Sequence, residues 1–306
     1  MSKLSEEFQE KYRTHQLFDT SIIDDIDKEA KLHNEALNNP LSSAASCLNV
    51  LGSIKDNPEE IKRFLAVIGL EVDRVIEFPT GANIGERLYN DKGYIIFEWI
   101  GPKESPINEG SGGGRGQNRT SIDAYILVEL DNKITQLLIE WKFTEGKSKP
   151  FATQKFSGYQ GLERLRRYSQ ILVGMRNQDN FPFDFKESTG VGLHDFSVDH
   201  LYQLMRITLL AKTTTPIQIG EHYVEDYRVI HISHSQNKES RYLNNKHLKY
   251  SPGLQDYENM EYHEAWKDIL TDYEKRKFIG GYWDKAIDVI NDDKLRNYLK
   301  NRYFEA

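Results

Sequence analysis

Three residues stand where chemistry could be done: Asp123, Glu140 and Lys142, in the stretch SIDAYILVELDNKITQLLIEWKF from Ser121 to Phe143. Both flanks of that stretch alternate in the two-residue period of a β-strand, around the polar pair Asp131-Asn132. A two-residue type I′ turn at that pair sets Leu130 against Lys133. The same register puts Asp123 opposite Glu140 and Ser121 opposite Lys142. Directly opposed residues have Cβ atoms about 4.5–5.5 Å apart. Two carboxylates at about 5 Å repel by roughly 3 kcal/mol at an effective dielectric near 20. Protonation of one acid, compensation by Lys142 or a divalent cation between the acids would each relieve that repulsion. Oxygen ligands alone suit Mg²⁺ or Mn²⁺ better than zinc. A solvent-facing acid pair beside a lysine is the plainer alternative.

The strand period also separates two faces. One carries Ile122/Trp141, Ala124/Ile139, Ile126/Leu137 and Val128/Thr135, and is expected to be core. The other carries Ser121/Lys142, Asp123/Glu140, Tyr125/Leu138 and Leu127/Gln136, where Tyr125 and Leu138 argue against a simple solvent face. Further strands are expected at 71–78, 92–101 and 226–235. Helices are expected over 4–38, 41–54 and 57–69, the last with Asn57 as cap, Pro58 in the first turn and Gly69 as stop. The 159–172 segment predicts a helix with Leu162, Leu165, Tyr168 and Leu172 inward and Arg164 and Arg167 turned away; 196–212 predicts another, with Leu201, Leu204, Met205 and Leu209 inward. Residues 255–306, rich in Tyr, Trp and charge, read as helical. The order implies an α/β domain with helical additions at both ends. The expected divisions are a helical 1–56, a core over 57–240 and a helical 241–306.

The 306 residues suffice for a sizeable core, and 38% hydrophobic with 28% charged residues is ordinary for a globular chain. No apolar run approaches the roughly 18 residues of a membrane span, and the polar N-terminus does not read as a signal peptide. One cysteine, Cys47, excludes an intrachain disulfide, and a cytoplasmic location is the expectation. Net charge is −7, yet from Lys142 to Arg176 eight basic residues face only Glu145 and Glu163. That contrast describes a basic face on an acidic body. The glycine-rich 109–120 loop lacks the Lys-Ser or Lys-Thr pair of a phosphate-binding loop and leads into a strand. No metalloprotease H-E-x-x-H or G-x-S-x-G elbow occurs, and His231 and His234 fall on opposite faces of their strand.

Asp123 followed by Glu140-Trp141-Lys142 resembles the D…E-x-K signature of the PD-(D/E)XK nuclease superfamily. The strings RTSIDAYI, LLIEWKFTE and LHDFSVDHLYQLMRITLLA resemble a restriction-endonuclease-like family, over about 60–235. Ile122 stands where the superfamily signature has proline. The resemblance implies a mixed central sheet flanked by helices and a metal-dependent endonuclease of restriction or defence type, acting on phosphodiester bonds in DNA. It further implies that Asp123, Glu140 and the Trp141 carbonyl hold Mg²⁺, or Mn²⁺, and that Lys142 handles the attacking water and phosphate charge. An upstream acid often joins such sites; Glu98 is the candidate because it breaks an apolar strand, with Glu77 and Glu86 as rivals. Phosphate contacts would fall to Lys147, Lys149, Lys155, Arg164 and Arg167, with Arg115 and Arg119 on the 109–120 loop closing over the nucleic acid. Many nucleases of this fold act as homodimers, although no dimer seam is legible. The alternative is a catalytically silent nucleic-acid-binding or interaction protein that keeps the fold, and a further one is a defence component triggered by a partner protein.

Overall fold

The computed structural model describes residues 17–23, 39, 41–79, 81–84, 87–89, 93–110, 119–143, 155–185, 190–244 and 248–304. In chain order they form α1 (Ser43–Val50), α2 (Pro58–Val67), β1 (Arg74–Ile76), β2 (Ala82–Ile84), β3 (Arg87–Tyr89), β4 (Ile95–Trp99), β5 (Ile122–Leu130), β6 (Lys133–Trp141) and α3 (Gly158–Arg176). Then come α4 (Asp199–Thr213), β7 (Ile217–Ile219), β8 (His222–Val224), β9 (Asp226–Ser233), α5 (Tyr262–Ile269), β10 (Phe278–Tyr282) and α6 (Asp293–Tyr303). The expected 4–38 helix falls largely outside the described residues.

The centre is the β5–β6 hairpin. Asp131 and Asn132 both take left-handed backbone angles, φ +53° and +60°, as a type I′ turn requires. The ladder runs from Leu130–Lys133 to Ala124–Ile139 in the register the turn dictates. The sheet continues from β6 to a parallel β9 and then to a parallel β10. On its other edge β5 pairs antiparallel with β1 near its end and with β4 near its start. A small second sheet joins β3, β2, β7 and β8. The central sheet is therefore mixed.

Both sheet faces are covered. Ala124, Ile126, Leu137, Ile139, Trp141, Ile230 and Ile232 pack with α1, α2, α6 and Trp283. Tyr125, Leu127, Leu138 and Val229 pack with Tyr168 and Leu172 of α3 and with Leu201, Leu204, Met205 and Leu209 of α4. Gln136 sits fully buried among them because its side chain is satisfied: Tyr125 Oη donates to its Oε1 at 2.8 Å, and its Nε2 donates to Thr215 Oγ1 at 2.6 Å.

Three expectations need correction. Ile122 packs in the α3/α4 core with Trp99, not with Ala124 and Trp141: the β5–β6 ladder stops at Ala124, and the left-handed Glu98 stands between the Phe97–Ala124 and Trp99–Ile122 pairs. Leu162 is 63% exposed; the buried stripe of α3 is Gly161, Tyr168, Leu172 and Met175. The C-terminal region is not helical throughout, since β10 joins the central sheet. Both terminal regions pack on the hairpin: Cys47, Leu48 and Leu299 share one core with it.

Trp283 ties the C-terminal region to the sheet. It is fully buried, stacks on Trp141 with ring centroids 5.1 Å apart, and its indole N–H donates to the Lys142 carbonyl at 2.9 Å. Trp283→Ala is expected to lower the unfolding free energy by about 3–5 kcal/mol in urea titrations. A loss below about 1 kcal/mol would show that the C-terminal region does not brace the hairpin.

Candidate functional site

The hairpin carries Asp123 and Glu140 one step past the last regular pair, Ala124–Ile139. There the main chain changes partner: the Trp141 N–H donates to Asp123 Oδ2 at 2.7 Å. The N–H and C=O of one strand residue point to the same side. The Trp141 carbonyl therefore faces the β5 edge that Asp123 occupies. Glu140 and Lys142 lie two positions apart on one face and are 3% and 5% exposed. Lys142 Nζ is 2.5 Å from Glu140 Oε1. A buried pair offsets its desolvation only through close contact and further hydrogen bonds.

Glu98 belongs to the same end of the sheet. β4 pairs with β5 at Phe97–Ala124 and again at Trp99–Ile122, which sets Glu98 across from Asp123. Glu98 is buried, its φ is +56°, and its Oε2 accepts from Ser121 Oγ at 2.7 Å. A left-handed non-glycine residue within a strand stores about 1–3 kcal/mol, which its surroundings must hold in place. Glu77 is exposed beyond β1, and Glu86 lies outside the described residues.

Among the described residues, no three His, Cys, Asp or Glu side chains gather into a group that could hold an ion. Oxygen donors at this end of the sheet include the carboxylates of Asp123 and Glu140 and the Trp141 main-chain carbonyl. All three are hard oxygen donors, and Mg²⁺ is commonly held by one or two carboxylates with phosphate and water completing its shell. The donor set thus fits Mg²⁺ or Mn²⁺.

The segment bearing these groups is clamped from the α1 side. Trp141 Nε1 donates to Ser46 Oγ at 2.8 Å, and the Phe143 N–H to Ser43 Oγ at 2.8 Å. Asn237 Nδ2 donates to the Phe143 carbonyl at 2.6 Å. A second clamp fixes the start of β5. The buried Glu109 carboxylate accepts from the Thr120 N–H at 2.5 Å, Thr120 Oγ1 at 2.9 Å, Tyr168 Oη at 2.9 Å and Arg206 Nε at 2.8 Å. Burial works against the Arg206 charge, but Glu109 together with Tyr168 and Tyr202 outweighs it and holds the guanidinium pKa above its ordinary value.

The basic residues separate. Arg119 is buried and its guanidinium donates to the carbonyls of Lys103 (2.8 Å), Ile100 (3.2 Å) and Pro102. It braces a loop and is thereby removed from the set expected to meet phosphates. Lys155 Nζ is 2.8 Å from Asp199 Oδ1, and Arg164 donates to the Lys155 carbonyl at 2.8 Å. Arg167 is partly exposed on α3. Arg115, Lys147 and Lys149 lie outside the described residues.

Sequence reasoning did not single out Glu109, Asp199, His200 or His263, and it named His231 only to set it aside as a metal ligand. Asp199 and His200 do fall inside LHDFSVDHLYQ, one of the strings that carry the resemblance. Burial works against the Asp199 charge, but Lys155, Lys142 and His200 outweigh it and hold its carboxyl below the usual range. Glu109 gave no signal beyond standing before a glycine run, because its partners come from Thr120, α3 and α4.

A family model described as Restriction Endonuclease associating with ARP matches residues 2–304 of the chain. No curated protein and no solved structure matches it.

Two outcomes follow from the geometry. Glu109→Gln leaves the Arg206 charge without its counter-ion and should cost about 3–5 kcal/mol in denaturant unfolding; an unchanged midpoint would show that the clamp carries no stability. Burial also pushes the His263 pKa down to about 4 and His231 well below its ordinary value. In the unfolded chain both titrate near 6.5, so below that pH the unfolded state binds more protons. The stability they contribute is complete above about pH 6.5 and is lost as pH falls through the folded values. Unfolding free energy should therefore fall more steeply from pH 7 to pH 4 in the wild type than in His263→Asn; equal slopes would contradict it.

Proposed function

The chain belongs to the family of restriction endonucleases associating with ARP, and from that premise we propose that it is a metal-dependent endonuclease hydrolysing phosphodiester bonds in DNA. Membership of a restriction-endonuclease family points to a nuclease; the metal, the substrate and the residue roles are our reading. The observation that carries it is the contact of Asp123 with the Trp141 main chain, which draws the first acid to the strand bearing Glu140 and Lys142.

Asp123, Glu140 and the Trp141 carbonyl would hold Mg²⁺ or Mn²⁺, which when bound supplies Lewis acidity toward a phosphoryl oxygen and lowers the pKa of an attacking water. Lys142 presents an ammonium group at the same place. Its role is to orient that water and to stabilise the negative charge that develops on the phosphate. The buried walls around Glu140 and Lys142 strengthen both effects by excluding bulk water. Arg167, with Lys147, Lys149 and Arg115, would contact backbone phosphates and set register along the nucleic acid without reading sequence. The family description also names an association with ARP, which supports a nuclease that acts with a partner.

Purified wild type and Asp123→Ala, incubated with plasmid and oligonucleotides in Mg²⁺, Mn²⁺ or EDTA, test this reading. Cleavage is expected from the wild type with metal and not with EDTA. Asp123→Ala should lose at least about a hundredfold in rate, the loss of roughly 2.7 kcal/mol of transition-state stabilisation. Nicking that persists equally in the alanine variant would remove the enzyme assignment.

A further inference from the structure

The row of residues that holds the acids continues across the sheet. Glu140 lies beside His231 in the β6–β9 ladder, and His231 lies beside Gly280 in the β9–β10 ladder. A Cβ on Gly280 would fall 2.3 Å from Cγ of His263, so only glycine leaves room for that ring against the strand. His263 Nε2 then meets His231 Nδ1 at 2.8 Å. His200 closes another side of His231, with ring centroids 5.8 Å apart. His231 is fully buried, and its Nε2 has no hydrogen-bond partner among the described residues. The positive charge of Lys142 is felt at His231.

The contact between the two rings admits either pair of tautomers. A proton on His231 Nδ1, donated to His263 Nε2, leaves His231 with a lone pair on Nε2. Burial works against a positive charge on either ring.

Lys142 has three N–H donors, and one of them points at Glu140 Oε1, an oxygen that a cation on Glu140 would compete for. We propose that His231 Nε2 is the acceptor that holds the Lys142 ammonium when Glu140 engages a cation, which makes His231 a positioning residue acting through Lys142. Asp199 also lies in the field of Lys142, but it is already paired with Lys155. The inference rests on the nuclease reading for its purpose, not for its geometry.

The test uses the full chain labelled with ¹⁵N-histidine. Long-range ¹H–¹⁵N spectra at pH 7.5 should show His231 as the neutral Nδ1–H tautomer. Its Nε2 signal should move on addition of Mg²⁺, and that movement should vanish in Lys142→Met. In cleavage assays His231→Leu should lower kcat about tenfold or more with KM within about twofold, the cost of a hydrogen bond to a charged group. His231→Gln retains an acceptor and should recover most of that loss, which a purely space-filling role would not allow. An Nε2–H tautomer, an Nε2 signal indifferent to Mg²⁺, or equal activity of the leucine variant and wild type would overturn the assignment. Absence of cleavage by the wild type would sink the nuclease reading alone, leaving the tautomer and its Mg²⁺ response to decide His231.

Discussion

The turn at Asp131-Asn132 sets the register on which everything else depends. Two left-handed residues close the hairpin in two steps, and a strand pair so closed admits one pairing. A slip of one residue would send Ala124, Ile126 and Ile139 out of their core and separate Asp123 from Glu140. The hydrophobic pattern is therefore enforced by that constraint, and burial of both sheet faces holds it, with Ala124, Ile126, Leu127, Leu137, Leu138 and Ile139 fully inside.

The ladder gives way where the chemistry-bearing groups begin. Asp123 takes the Trp141 N–H, Glu98 sits in a left-handed conformation, and Glu140 and Lys142 lie buried as a pair. Such departures from regular pairing re-aim side chains, and they persist only where neighbouring contacts over-determine them. Here those contacts come from distant parts of the chain. Ser43 and Ser46 hold Phe143 and Trp141, Trp283 holds Lys142, and Glu109 ties Thr120 to α3 and α4. The terminal regions thus act as a shell that fixes the geometry of the central strands, the arrangement a preorganised site demands.

What was legible in the sequence follows from range. The hairpin and its register from Leu130–Lys133 to Ala124–Ile139 depend on a turn and a period of two, both local, and the structure keeps them. The capping of α2 was local too: Asn57 Oδ1 accepts the Glu60 N–H at 3.2 Å, and Gly69 closes the end at φ +101°. Arg119, Leu162 and β10 were misread because their environments come from elsewhere. Arg119 looked like a loop residue that closes over nucleic acid, but its guanidinium finds three carbonyls. Leu162 fits the apolar stripe that buries Tyr168 and Leu172, but at the start of the helix it stays exposed. FIGGY carries two glycines that weaken a strand signal, yet Gly280 is needed against His263 and Gly281 against Ile68, whose carbonyl would be 2.9 Å from an added Cβ. The histidines beside Glu140 were opaque for the same reason, since β9, α4 and α5 each supply one.

The claim on which the function turns is that Asp123 and Glu140 share one divalent ion. Crystals of the full protein grown with Mn²⁺ and measured at the manganese absorption edge test it directly. One anomalous peak within coordination distance of both carboxylates and of the Trp141 carbonyl is the expected result. Manganese bound elsewhere, with neither acid at coordination distance, would contradict it.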